Sequence, residues 1–117
     1  MTPNEYQNNC MKFASKLSQS TSYNLLLQGV MGMSGESGEA IDIVKKITFH
    51  GHPFNEEAKT HLAKELGDVL WYVATSARAI GYNLSEIMEL NIDKLSKRYP
   101  DGHFDTEKSL HRKEGDI

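Results

Sequence analysis

The sequence predicts an all-α fold of four helices. Apolar residues recur at three- and four-residue spacing over long stretches, as one face of a helix requires. No segment alternates with period two, and no Asn-Gly or Asp-Gly pair separates apolar runs, so strands and hairpins have no support. The three prolines, at positions 3, 53 and 100, leave long uninterrupted segments between them.

Each helix carries its own start and stop. Thr2-Pro3 with Glu5 close behind reads as an N-cap, a proline at N1 and an acid in the first turn. From there Tyr6, Cys10, Phe13 and Leu17 keep helical spacing, so the first helix is expected to reach about Leu17. The polar run SQSTS precedes a second helix that starts near Ser22, continues to about Phe49 and closes in HGHP at Gly51 and Pro53. Asn55 followed by Glu56 and Glu57 opens the third, which runs to Ile80 and stops at Gly81. Asn83 with Glu86 three residues on reads as a capping box for the fourth, which ends at Tyr99 before Pro100. Residues 1–104 are expected to form a single helical domain, and 105–117 a polar, loosely ordered C-terminal tail.

At 117 residues the chain suits one modest core. A net charge of −3, with no basic block beyond pairs such as Lys45-Lys46 and Lys97-Arg98, argues against a nucleic-acid polymer as partner. Cys10 is alone, so no intrachain disulfide forms and a reducing compartment fits. The start MTPNEYQNNC lacks a basic segment followed by an apolar run, and the stretch VLWYVATSARAI is too short to span a membrane. The expected setting is cytoplasmic.

The chemistry concentrates in GVMGMSGESGEA, residues 29–40, where Gly29, Gly32, Gly35 and Gly38 alternate with Glu36 and Glu39. A phosphate loop would need GxxxxGK[ST], and a dinucleotide loop a preceding strand; neither is present. Leu26, Val30, Met33, Ala40, Ile43, Val44 and Ile47 keep helical spacing through the stretch, so it reads as helix. Four interior glycines cost about 4 kcal/mol relative to alanine. That cost implies close approach of a backbone or a ligand, with the glycines clearing space beside the two glutamates. Carboxylates at i and i+3 are neighbours that repel unless a cation lies between them. A solvated acidic face is the competing explanation.

A second pair, Glu65 and Asp68, lies in KELGDVLWY on the third helix. It interrupts a run of Leu62, Ala63, Leu66, Val69, Leu70 and Val73 expected to face the core, where ionised carboxylates are costly unless paired or metal-bound. His61 and Tyr72 share its face; a pairing with Lys64 on an exposed edge is the alternative. Two antiparallel helices can aim four such acids into one cleft. Oxygen donors alone select Mg²⁺, with Mn²⁺ as a substitute, and Mg²⁺ shares its shell with substrate phosphates. Asn91, Lys94 and Arg98 share a face of the fourth helix and could meet those phosphates, or form a solvated basic edge. His50 and His52 read as structural or incidental.

GESGEAIDIVKK, KELGDVLWYVA and NIDKLSKRYPDGHF, in that order over roughly residues 25–104, resemble the MazG-like family of all-α nucleotide pyrophosphohydrolases. The resemblance implies a four-helix, MazG-like bundle assembled as a homodimer or dimer of dimers (homotetramer). It also implies hydrolysis of a nucleoside or deoxynucleoside triphosphate to the monophosphate and pyrophosphate, with nucleotide-pool cleansing or a regulatory function as the role. Glu36, Glu39, Glu65 and Asp68 would hold Mg²⁺ and act in catalysis, Glu36 or Glu39 serving as general base. Lys94 and Arg98 would serve the phosphates, and Asn91 and Tyr99 also fit the family pattern. The base would lie among Phe13, Leu25, Gln28, Trp71 and Tyr72. Phosphoribosyl-ATP pyrophosphohydrolase is a relative with similar acidic motifs, and remains an alternative. A non-catalytic nucleotide-binding or interaction module, or a structural helical dimer, is another.

Overall fold

The computed structural model describes residues Met1–Ile117. It contains helices and no strand: α1 (Pro3–Met11), α2 (Ser22–Phe49), α3 (Glu56–Ala79), α4 (Leu84–Arg98) and a short α5 (Thr106–Leu110). The expected all-α architecture and its four principal helices are therefore present. No helix is long and apolar enough to cross a membrane. The chain forms two compact units, Met1–Leu84 and Ser85–Ile117.

In the first unit, side chains at the helix starts satisfy backbone donors that the helix itself leaves unpaired. Thr2 and Glu5 form a reciprocal capping box, with Thr2 N–H on Glu5 Oε2 at 2.6 Å and Glu5 N–H on Thr2 Oγ1 at 3.2 Å. Thr21 caps α2 and Asn55 caps α3 by single bonds, their side chains accepting from the Asn24 and Ala58 N–H groups. At the end of α3 the Tyr82 and Gly81 amides return to Ala77 and Arg78 carbonyls, a Schellman closure. It needs the left-handed backbone that Gly81 adopts at φ +85°.

α1 is shorter than its apolar spacing suggests, ending at Met11 rather than near Leu17. The reason is local: the Ser15 and Ser18 hydroxyls and the Gln19 amide bind nearby backbone groups and offer the chain an alternative to helix. Phe13 and Leu17 consequently stand exposed.

α2 packs along α3, and α1 also packs on α3. The core is the cluster Cys10, Ala74 and Leu84, with Tyr6, Trp71 and Val73 against it. Gln7, 1% exposed, is its polar bolt: the side-chain amide donates to Ala74 O and Tyr82 O and accepts from Leu84 N–H, at 3.0–3.1 Å. The fully buried stretch of α3 is Ala74–Ala77, where small side chains admit close neighbours. Leu66 and Leu70, expected in the core, are exposed, because α2 covers only one side of α3 there.

The second unit folds back on itself. Tyr99 lies against Phe104, with ring centroids 5.5 Å apart. Asp105 caps α5, and Lys108 reaches Asp101 at 3.0 Å. The segment expected to be a loose tail thus carries a helix and returns Asp116 to Arg98.

Candidate active site

Opposed positions on α2 and α3 show that the two helices run antiparallel. Gly29 meets Ser76, Gly32 meets Tyr72, and Glu36 meets Glu65 and Asp68: residue numbers rise along one helix as they fall along the other. The glycines divide into two functions. A methyl group at Gly29 would overlap the Ser76 side chain, and one at Gly32 would overlap the Tyr72 ring. These two allow the helices to approach closely. Gly35 and Gly38 have nothing within 4 Å. The expectation that Gly32 leaves bare space beside the acids is therefore corrected, since Tyr72 fills the notch.

One turn further along both helices the acids converge. Glu36, Glu65 and Asp68 each present a carboxylate oxygen, all within 4.8 Å of one another. Helical spacing explains this: Glu65 and Asp68 are one turn apart on α3, and Glu36 is one turn beyond Gly32. Glu65 is largely buried at 14% side-chain exposure, and His61 Nε2 lies 3.1 Å from its Oε1, fixing its orientation. The Glu36 carboxyl is pushed above the usual range, first by desolvation and then by the Asp68 and Glu65 charges and a hydrogen bond with Glu65. Glu39, also contributing repulsion to Glu36, is exposed and lies outside the group of three. Three converging oxygen donors with no sulfur or nitrogen ligand suit a hard divalent cation, which would relieve their mutual repulsion.

A cavity of about 470 Å³ opens one turn from the acids, lined among others by Leu17, Leu27, Gln28, Met31, Gly32 and Tyr72. Gln28 Oε1 is buried and has no hydrogen-bond partner. Tyr72 stacks edge-to-face with Trp71, their centroids 5.0 Å apart. Of the five residues expected around a base, Gln28 and Tyr72 line this cavity. Leu25 and Trp71 belong instead to the packed interior, and Phe13 is exposed.

A family model described as the MazG nucleotide pyrophosphohydrolase domain matches residues 26–103. The chain belongs to the MazG family. The match includes both acidic pairs of the MazG domain and the segment through Tyr99. Gene 37 protein of Mycobacterium phage L5 is 41% identical over 69 residues, which is 58% of this chain and 60% of that protein. The chain thus spans about three fifths of that relative. No solved structure matches it.

The remaining residues singled out from sequence belong to the second unit. Asn91 and Lys94 are exposed on α4. Arg98 forms a two-pronged bond with Asp116, from Nε at 2.8 Å and Nη2 at 2.7 Å, and its guanidinium lies 6.0 Å from the Tyr99 ring centre. Asp116 carries no motif, and its separation of 18 residues from Arg98 gives sequence reasoning no periodic signal to follow.

Proposed function

We propose that this protein hydrolyses a nucleoside or deoxynucleoside triphosphate to the monophosphate and pyrophosphate. Membership of the MazG family supports nucleotide pyrophosphohydrolase activity. The observation that carries the reading to a site is the convergence of Glu36, Glu65 and Asp68 within 4.8 Å. Their all-oxygen donor set fits Mg²⁺, with Mn²⁺ as a substitute. Glu39, three residues from Glu36 on the same helix, completes the proposed ligand set.

When bound, the cation neutralises phosphate charge and activates water. The protein's own groups do the rest. Glu65 is held in place by His61 and anchors the site. Glu36 or Glu39 accepts the proton of the attacking water. Lys94 and Arg98 bind phosphate oxygens, Arg98 through a planar fork and Lys94 as a point charge. Asn91 and Tyr99 support that group. The base enters the cavity beside Tyr72, where the unpartnered Gln28 Oε1 offers an acceptor to a base amino or imino group.

Residues 1–104 act as one functional domain in this reading, in a reducing cytoplasmic setting. Two or four copies associate, covering the apolar side chains that one chain leaves exposed on α2 and α3, among them Val30, Ile41, Val44 and Leu66. Light scattering at micromolar concentration is expected to give a mass above the monomer. The catalytic assignment is tested with Glu39→Gln and Asp68→Asn: both are expected to stay folded by circular dichroism and to lose Mg²⁺-dependent pyrophosphate release. Near-wild-type turnover in either would refute the four-acid set.

A further inference from the structure

Within residues 90–117 lies a second cavity, of about 780 Å³. Its charged lining is predominantly cationic: Lys94, Lys97, Arg98, Lys108, Arg112 and Lys113 against the carboxylates of Asp93, Glu114 and Asp116. Lys97 is neutralised by Asp93 and Lys108 by Asp101. Lys94, Arg112 and Lys113 form no ion pair. Three cations without an ion pair against the one such carboxylate, Glu114, leave the lining net positive, which favours entry of an anion.

Arg98 is the most enclosed cation there, with a side chain 9% exposed and its partner Asp116 15% exposed. Both carboxylate oxygens of Asp116 receive guanidinium N–H bonds, at 2.7 and 2.8 Å. That fork binds carboxylate and phosphate by the same pair of parallel bonds, so a carboxylate in it occupies the position a phosphate group would take. The surroundings favour an anion as well: the Asp116 carboxyl is held below its usual range by Arg98 first, and also by the Arg112 and Lys94 charges.

We propose that this basic cavity binds a polyphosphate, and that Asp116 is its resident competitor, holding the Arg98 fork until the incoming anion displaces it. The inference rests on the reading of Arg98 as a phosphate ligand and adds a built-in restraint on it. A doubly charged phosphate group outcompetes a singly charged carboxylate at high concentration, while Asp116, tethered 18 residues away, wins at low concentration. The restraint thus sets a threshold for polyphosphate binding.

The experiment is titration calorimetry of the full chain with inorganic pyrophosphate, without divalent metal, for wild type, Asp116→Ala, and Asp116→Ala combined with Arg98→Ala. Asp116→Ala is expected to tighten pyrophosphate binding on the order of tenfold, and the added Arg98→Ala to abolish the gain. Unchanged or weaker binding in Asp116→Ala would overturn the proposal, as would a gain that survives loss of Arg98 or no pyrophosphate binding by any of the three. Triphosphate turnover, assayed separately, keeps the two ideas distinct. Tighter binding without turnover in wild type retains the latch and refutes the hydrolase, whereas turnover with unchanged pyrophosphate affinity does the reverse.

Discussion

Replacing Gly29 and Gly38 by alanine, one at a time, adds the same methyl group to the same helix in two different surroundings. Helix propensity alone favours alanine by about 1 kcal/mol at both positions. At Gly38 nothing lies within 4 Å, so that gain should appear nearly in full. At Gly29 the new Cβ would overlap the Ser76 hydroxyl and sit 3.3 Å from Ser76 Cα, which belongs to the backbone of a buried helix segment. Overpacking of this kind costs about 1–3 kcal/mol. With a mid-range cost of about 2 kcal/mol, less the propensity gain of about 1, Gly29→Ala should destabilise by about 1 kcal/mol. At about 4 °C per kcal/mol for a chain of this size, thermal denaturation should place the two variants about 8 °C apart, on opposite sides of wild type. Equal shifts in the same direction would refute the division of the glycines into packing and open positions.

Gln7→Leu leaves Ala74 O, Tyr82 O and Leu84 N–H without their partner and should cost about 3 kcal/mol in denaturant unfolding; a loss below about 1 kcal/mol would contradict the bolt. Desolvation, followed by its hydrogen bond with Cys10, pushes the Tyr6 phenol up to about 12. A raised folded-state value means its contribution is full below the unfolded value of about 10 and is lost as pH rises through 12. The melting temperature should accordingly fall between those limits, and Tyr6→Phe should flatten that fall. Glu36→Gln removes one of three repelling charges, so it should raise the metal-free melting temperature and shrink the rise produced by Mg²⁺. An undiminished Mg²⁺ effect in that variant would remove Glu36 from the ligand set.

Long-period features were legible in the sequence, and features decided by packing were not. The limits of α2 and α3 follow from Thr21, Asn55 and Gly81, residues whose local chemistry starts or ends a helix whatever surrounds them. Phe13 and Leu17 misled because their apolar spacing continued a pattern that the serines around them had already ended. Spacing marked Glu36, Glu39, Glu65 and Asp68 as two acidic pairs and the family resemblance joined them into one set; Glu36, Glu65 and Asp68 converge, while Glu39 shares the spacing and lies outside the group because its position on α2 is one turn further on. The positions of Gly29 and Gly32 against Ser76 and Tyr72 depend on the register between the helices, which neither segment encodes alone. The Asp116 contact with Arg98 arises from the fold of a polar segment that has no periodicity to read.

Whether the chain cleaves between the α- and β-phosphates is decided by product analysis. The purified protein is incubated with Mg²⁺ and a panel of ribo- and deoxynucleoside triphosphates, and pyrophosphate, monophosphate, orthophosphate and diphosphate are measured together. Equimolar pyrophosphate and monophosphate are expected from at least one substrate, with none formed when the metal is chelated. Orthophosphate with a diphosphate, or metal-independent release, would contradict the proposed reaction.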